Sequence, residues 1–375
     1  MRETMTSRER VRRAVAHLPV DRMPIDLGGH SSTGISAFAY RDLRERLGLP
    51  TDRIEVIDMG QFLARVDEDV RRRFHIDCAF LRPPARDTIR WTPRGNYEFV
   101  IPAQYDPRPR EDGSWLQAPQ TGSFMPKGGY FFDTIRQPLS YGDDAFADCA
   151  REAERLYKET DYYTMYIGYG AYFSGDLLWQ MRMITDPEEI YEENEFHHKL
   201  QLRSIGKLID AMGGFVQAVV INSDLGSQGG PLCRPSLHER LCAPFVRDLC
   251  GFVHRNSDFK VFLHSCGSIR EFIPSLIDCG VDILNPVQIS AAGMDPRELK
   301  RLYGDKIAFW GGGCDTQRVL GSGTPEEVAA NVRELTGIMK PGSGFVFNQV
   351  HNVMGNVPPE NVIAMLDTAY EEAFY

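Results

Sequence analysis

The chain has no apolar run near the ~20 residues that a membrane-crossing helix requires; FVQAVVI (215–221) is typical of its longest stretches. Its opening, MRETMTSRERVRRAV, carries charge where a secretory signal carries an apolar core, so a soluble, cytoplasmic protein is expected. A surplus of positive charge is also missing. Lys and Arg number 42 against 52 Asp and Glu, a net charge of −10, which speaks against a general binder of nucleic-acid phosphates. The basic stretches RERVRR and VRRRF then read as solvated helix faces. Cysteine is sparse: eight in 375 residues, none in a CxxC pair, which argues against a disulfide framework and a closed zinc knuckle. Repeats, low-complexity tracts and long polar linkers are lacking, so residues 1–375 are expected to form a single domain.

What is present is a regular alternation of short β-branched or aromatic runs with capped helical segments. The runs are RMPIDL (22–27), IDCAFL (76–81), YTMYIG (163–168), VQAVVIN (216–222), KVFLHS (260–265), VDILN (281–285), KIAFWG (306–311) and GFVFNQV (344–350). Asp295-Pro296 and Thr324-Pro325, each with a glutamate in the first turn, mark two helix starts, and a further helix is expected from about Pro359. Ser268 and Glu271 have the spacing of a capping box for a helix with the stripe Ile269, Phe272, Ile273, Leu276 and Ile277, although Pro274 interrupts it. Strands alternating with helices imply parallel pairing and right-handed crossovers. Eight strands fit an α/β fold of the closed (β/α)8, or TIM-barrel, kind, and no glycine-rich dinucleotide fingerprint follows the first strand to favour an open sheet. Residues 91–133 break the rhythm with turn clusters and nine large aromatics, as an insertion or lid within the barrel domain or simply a packed excursion.

Barrel chemistry sits at the carboxyl ends of strands. Those ends carry Asp26, Tyr169, Asp224, His264 with Cys266, Asn285, Cys314, and Asn348, Gln349 and His351. One imidazole and two thiolates, His264, Cys266 and Cys314, would form a three-ligand zinc set with a fourth position open. The alternative is a packed thiol beside a hydrogen-bonded histidine. Asp224 and His351 are candidates for orienting a substrate or moving its proton, or else a helix cap and an ordinary loop histidine. Asp26, Tyr169, Asn285, Asn348 and Gln349 are expected to line the pocket. A zinc ion with two thiolates is a mild Lewis acid, suited to thiol alkylation or to weakening an ether's carbon–oxygen bond.

The segments RERVRRAVAHLPVDRMPID, NSDLGSQGGPLCRPSLHERLCAPF, FLHSCGSIREFIPSLIDCGVDILNPVQ, GDKIAFWGGGCDTQRVL and VHNVMGNVPPENV resemble the uroporphyrinogen decarboxylase superfamily. HSC with GGGC resembles its zinc-dependent corrinoid methyltransferase branch, which includes methylcobamide:coenzyme M methyltransferases and O-demethylase components. That resemblance implies a (β/α)8 barrel with His264, Cys266 and Cys314 as zinc ligands. Where true decarboxylases carry an arginine-bearing RQAGRY segment, this chain reads DLGGHSSTGI, which lacks the counter-ions for a polycarboxylate. No histidine sits in the DxHxxG frame of a corrinoid carrier, so the corrinoid is expected on a separate binding protein. The aromatic insertion tips the small-molecule substrate toward an aryl methyl ether over a thiol. A porphyrinogen decarboxylase using Asp26, and a noncatalytic corrinoid- or tetrapyrrole-binding barrel, are the alternatives; a homodimer is left open.

Overall fold

Six of the eight expected runs form one parallel sheet, in the order Met165–Gly170, Ala218–Asn222, Lys260–His264, Ile283–Asn285, Ala308–Trp310 and Phe345–Val346. The computed structural model describes residues 3–117, 122–133 and 143–375. The remaining two runs close the ring. Ile25 bridges in parallel to Phe347 at one edge, and Cys78 bridges in parallel to Tyr163 at the other. The Asp77 N–H donates to the Ile25 carbonyl (2.8 Å) and joins those two segments to each other. The chain is thus a (β/α)8 barrel, with each run in the expected place.

Strand alternation sorts side chains to two faces. Cys78, Tyr163, Met165, Ala218, Val220, Phe262, Ile283, Ala308, Trp310 and Val346 fill the interior, and Val11 and Val15 of helix Ser7–Val15 plug its amino end. One rung nearer the carboxyl end the interior turns polar: Trp310 Nε1 donates to Asp26 (2.9 Å), and Asn348 Nδ2 donates to the Asp26 carbonyl (3.0 Å). At the closure, Asp77 accepts from Arg10 (2.6 Å), Arg22 (2.7 Å) and the Ile25 N–H (2.9 Å), all buried. This ties the first two strands to the plugging helix.

The Asp295 and Thr324 caps form as expected, and Thr324 with Glu327 makes a full capping box. The Ser268 cap does not. That helix spans only Ile273–Cys279 because Pro274, lacking an N–H, sits in its first turn, and the Ser268 hydroxyl donates instead to the Ala292 carbonyl (2.6 Å).

The insertion is β-rich and begins at residue 88. Thr88–Arg94 and Tyr97–Pro102 form a hairpin that joins Ile54–Asp58, and Arg108–Pro109, Trp115–Gln117 and Ser123–Met125 form a second small sheet. Positions 118–121 lie outside the described residues. Most of its aromatics pack: Trp91 meets Phe62, Trp115 and Phe132, and Phe99 meets Phe38 and Phe62. No helix among the described residues is long and apolar enough to cross a membrane.

Candidate metal centre

His264 ends its strand on the interior face, and Cys266 follows in the turn. Gly267 makes that turn possible. Its φ is +87°, and a Cβ there would stand 2.3 Å from the Gly226 carbonyl, so only glycine lets these two loops press together. The contact is pinned by Leu225 N–H to Ser265 Oγ (3.0 Å) and by Cys266 N–H to Asp224 Oδ1 (2.8 Å).

Asn285 sets the state of the His264 ring. Its Nδ2 donates to the Trp310 carbonyl (3.0 Å), which leaves Oδ1 as the atom facing His264 Nδ1 at 2.8 Å. An amide oxygen can only accept, so Nδ1 carries the proton and Nε2 keeps its lone pair. That nitrogen lies 3.4 Å from Cys266 Sγ and 3.5 Å from Ser32 Oγ. A metal-binding histidine is ordinarily held by just such a partner on its other nitrogen.

The third donor gathered here is His351. Ligand atoms of His264, Cys266 and His351 lie within 4.8 Å of one another, and Asp224 Oδ1 stands 3.8 Å from His264 Nε2. Cys314, the expected third ligand, is outside that group. It is fully buried in the apolar cluster, and its carbonyl accepts from the Val350 N–H (3.2 Å), which places it on the rung next to His351. The preceding glycines dictate this path: Gly312 has a φ of +84°, and a Cβ on Gly313 would meet the Phe347 ring at 2.4 Å.

Burial lowers His351 to about 4, with His264 acting the same way, and burial also lowers His264, so both rings are neutral at pH 7. Burial, reinforced by Asp224, pushes the Cys266 thiol far up, and burial pushes Cys314 to about 12. Both thiols keep their protons until a cation arrives, whose charge reverses that preference. Two neutral imidazoles and one thiol, one ring already fixed in the ligating tautomer, fit a zinc ion with a position to spare.

The expected pocket residues are placed otherwise. Asp26, Asn285, Asn348 and Gln349 are fully buried and form a supporting layer under the mouth. Gln349 donates to the carbonyls of Thr33 (3.4 Å) and Gly34 (3.3 Å) and accepts from Asn348 (3.0 Å), latching the 28–34 loop to the eighth strand. Tyr169 leaves the interior altogether. A bulge between Ile167 and Tyr169 sets Tyr169 opposite outward-facing Ile221, and its hydroxyl meets Ser204 (3.1 Å) on helix Pro187–Met212.

One neighbour was not anticipated. His30 is 1% exposed and accepts the Ser32 N–H at Nδ1 (2.9 Å), which puts its proton on Nε2. That buried donor has no partner among the described residues, and the ring lies 5.8 Å from His264. Only the sequence's unusual DLGGHSS loop hinted at it. Size does not mark the centre: a groove of about 540 Å³ lined by Arg65, Arg82 and Tyr105 includes none of the three donors.

The profile of the uroporphyrinogen decarboxylase (URO-D) family matches residues 183–372, just over half of the chain. Among solved structures, a methyltransferase from Methanosarcina mazei is similar with a TM-score of 0.60 at 14% identity, over 98% of this chain and 99% of that one. Dispersin B aligns at a TM-score of 0.39 and 11% identity, over 93% of this chain and 98% of its own, too weakly to bear on the fold. The first likeness shows a shared fold. No curated protein matches the sequence.

Proposed function

The chain belongs to the uroporphyrinogen decarboxylase family, and on that premise we propose that it is a zinc-dependent methyltransferase. It moves a methyl group between a small substrate, an aryl methyl ether in preference to a thiol, and a corrinoid carried on a separate protein. The observation that carries the reading is the convergence of His264, Cys266 and His351. A zinc ion bound there would supply Lewis acidity toward the substrate's oxygen or sulfur.

The chain's own groups account for the rest. Asn285 holds His264 in its ligating tautomer, and the apolar barrel interior below excludes water. In the ether direction the methyl carbon–oxygen bond would break with its electron pair left on oxygen, and the partner's cobalt(I) would supply the pair for the new bond to carbon, rising to cobalt(III). A proton from solvent then completes the phenol. Asp224, more than half exposed and facing Cys266 and His264, is the group placed to relay it.

Decarboxylation of a porphyrinogen is disfavoured. Asp26, its candidate carboxylate, is fully buried and bonded by the Gly29 N–H (2.8 Å) and the Trp310 indole (2.9 Å), away from any rim. Among the described residues, the side chains beside the donors, Ser32, Asn285, Asp224 and His30, bring no lysine or arginine to a polycarboxylate.

The test is to mix zinc-loaded protein with an aryl methyl ether and free cob(I)alamin and follow methylcobalamin by its absorbance. Formation that is lost in His264→Ala supports the reading. No transfer, with carbon dioxide released from uroporphyrinogen instead, would overturn it.

A further inference from the structure

A cavity of about 240 Å³ opens directly beside His351. Its walls come from four separate places: Ser36 at the start of helix Ala37–Arg46, Leu63, the Tyr130–Phe131–Phe132 edge of the insertion, and Val353 with Met354. We propose that this cavity binds a monocyclic aromatic molecule carrying a ring oxygen.

Size sets the first limit. An apolar cavity of ~150 Å³ holds a benzene molecule. The present volume therefore has room for one ring with a small substituent. The lining sets the second. Three aromatic side chains with Leu63, Val353 and Met354 offer ring faces and edges, which a flat π-system meets in favourable offset or edge-on geometry. Phe131 and Met354 are 45% and 42% exposed, large apolar groups presented to water at the rim.

Ser36 supplies the polar contact. It is the N-cap residue of its helix, where a serine hydroxyl ordinarily accepts an N–H of the first turn, yet it makes no such bond. The hydroxyl is buried without a partner among the described residues. Gly355 is what lets the wall close so tightly: a Cβ there would come within 2.2 Å of the Tyr130 ring and 3.0 Å of Ser36 Oγ. An unused buried hydroxyl at the edge of an apolar slot is completed by a ligand oxygen.

Ring binding stands on the cavity alone; its role as the methyl donor's seat, next to His351, rests on the methyltransferase reading. The experiment is calorimetric titration of chelator-treated, full-length protein with guaiacol, toluene and cyclohexanol. Guaiacol is expected to bind at least roughly tenfold tighter than cyclohexanol. Ser36→Ala should weaken guaiacol by roughly three- to tenfold and leave toluene unchanged. Met354→Trp, a rim change that fills the slot without touching the core, should abolish binding of both aromatics while circular dichroism stays as in the parent. Equal affinity for cyclohexanol, or unaltered binding in Met354→Trp, would overturn the proposal. Guaiacol binding without methyl transfer to cobalamin would keep the aromatic site and remove the methyltransferase reading; transfer from a non-aromatic donor without ring binding would do the reverse.

Discussion

His264 Nδ1 lies 2.8 Å from Asn285 Oδ1, and the other end of that amide is spoken for by the Trp310 carbonyl. Through this pair, two adjacent strands decide which ring nitrogen faces Cys266. Asn285→Ala should weaken zinc binding by about 10- to 100-fold, while Asn285→Asp, which keeps an acceptor toward Nδ1, should restore most of it. Competition with a chromogenic chelator measures both. Equal loss in the two variants would mean that packing, and not the tautomer, is what Asn285 supplies.

Asp77 is bonded by Arg10, Arg22 and the Ile25 N–H in a buried cluster. Asp77→Asn leaves two buried guanidinium groups short of their counter-charge, and a loss of about 3–5 kcal/mol in unfolding free energy is expected. Urea denaturation checks it; a change under about 1 kcal/mol would show that the closure does not depend on this carboxylate.

Tyr169 gives the opposite kind of test. With its hydroxyl on Ser204 and outside the barrel interior, Tyr169→Phe should leave kcat/KM within about twofold and cost only about 1 kcal/mol of stability. A large fall in kcat would return this side chain to the pocket.

The eight strands and most helix starts were legible because each is a local pattern: a short β-branched run, or a cap followed by proline and an acid. Two of the centre's three donors were legible for the same reason, since His264 and Cys266 are two residues apart at a strand end. What was hidden is non-local. A one-residue bulge at residue 168 inverts the side of the strand on which Tyr169 falls. That His351, from the far end of the chain, gathers beside His264 and Cys266 is a contact that spacing does not encode. His30 lies in a loop without periodicity, and the aromatic cavity is assembled from segments more than 300 residues apart.

Acid should weaken the fold in a defined window. Burial holds His238 and His351 down to about 4, below the ~6.5 of an unfolded histidine. Between those values the unfolded chain takes up protons that the folded chain refuses, so stability is full above the upper value and falls as pH drops toward the lower one. Each histidine contributes a slope of ~1.4 kcal/mol per pH unit in that range. His238 is 1% exposed and packs on Phe272; His238→Leu should flatten the slope of unfolding free energy between pH 6.5 and 4 by about one histidine's share. An unchanged slope would show that His238 titrates normally in the folded state.

Zinc K-edge absorption on the purified protein and on three variants, Cys266→Ser, His351→Ala and Cys314→Ala, tests the centre most directly. The account predicts one zinc per chain with two imidazole nitrogens and one sulfur, the sulfur lost in Cys266→Ser, one nitrogen lost in His351→Ala, and no change in Cys314→Ala. A protein that retains no zinc, or a shell of two sulfurs that loses one in Cys314→Ala and ignores His351→Ala, would contradict it.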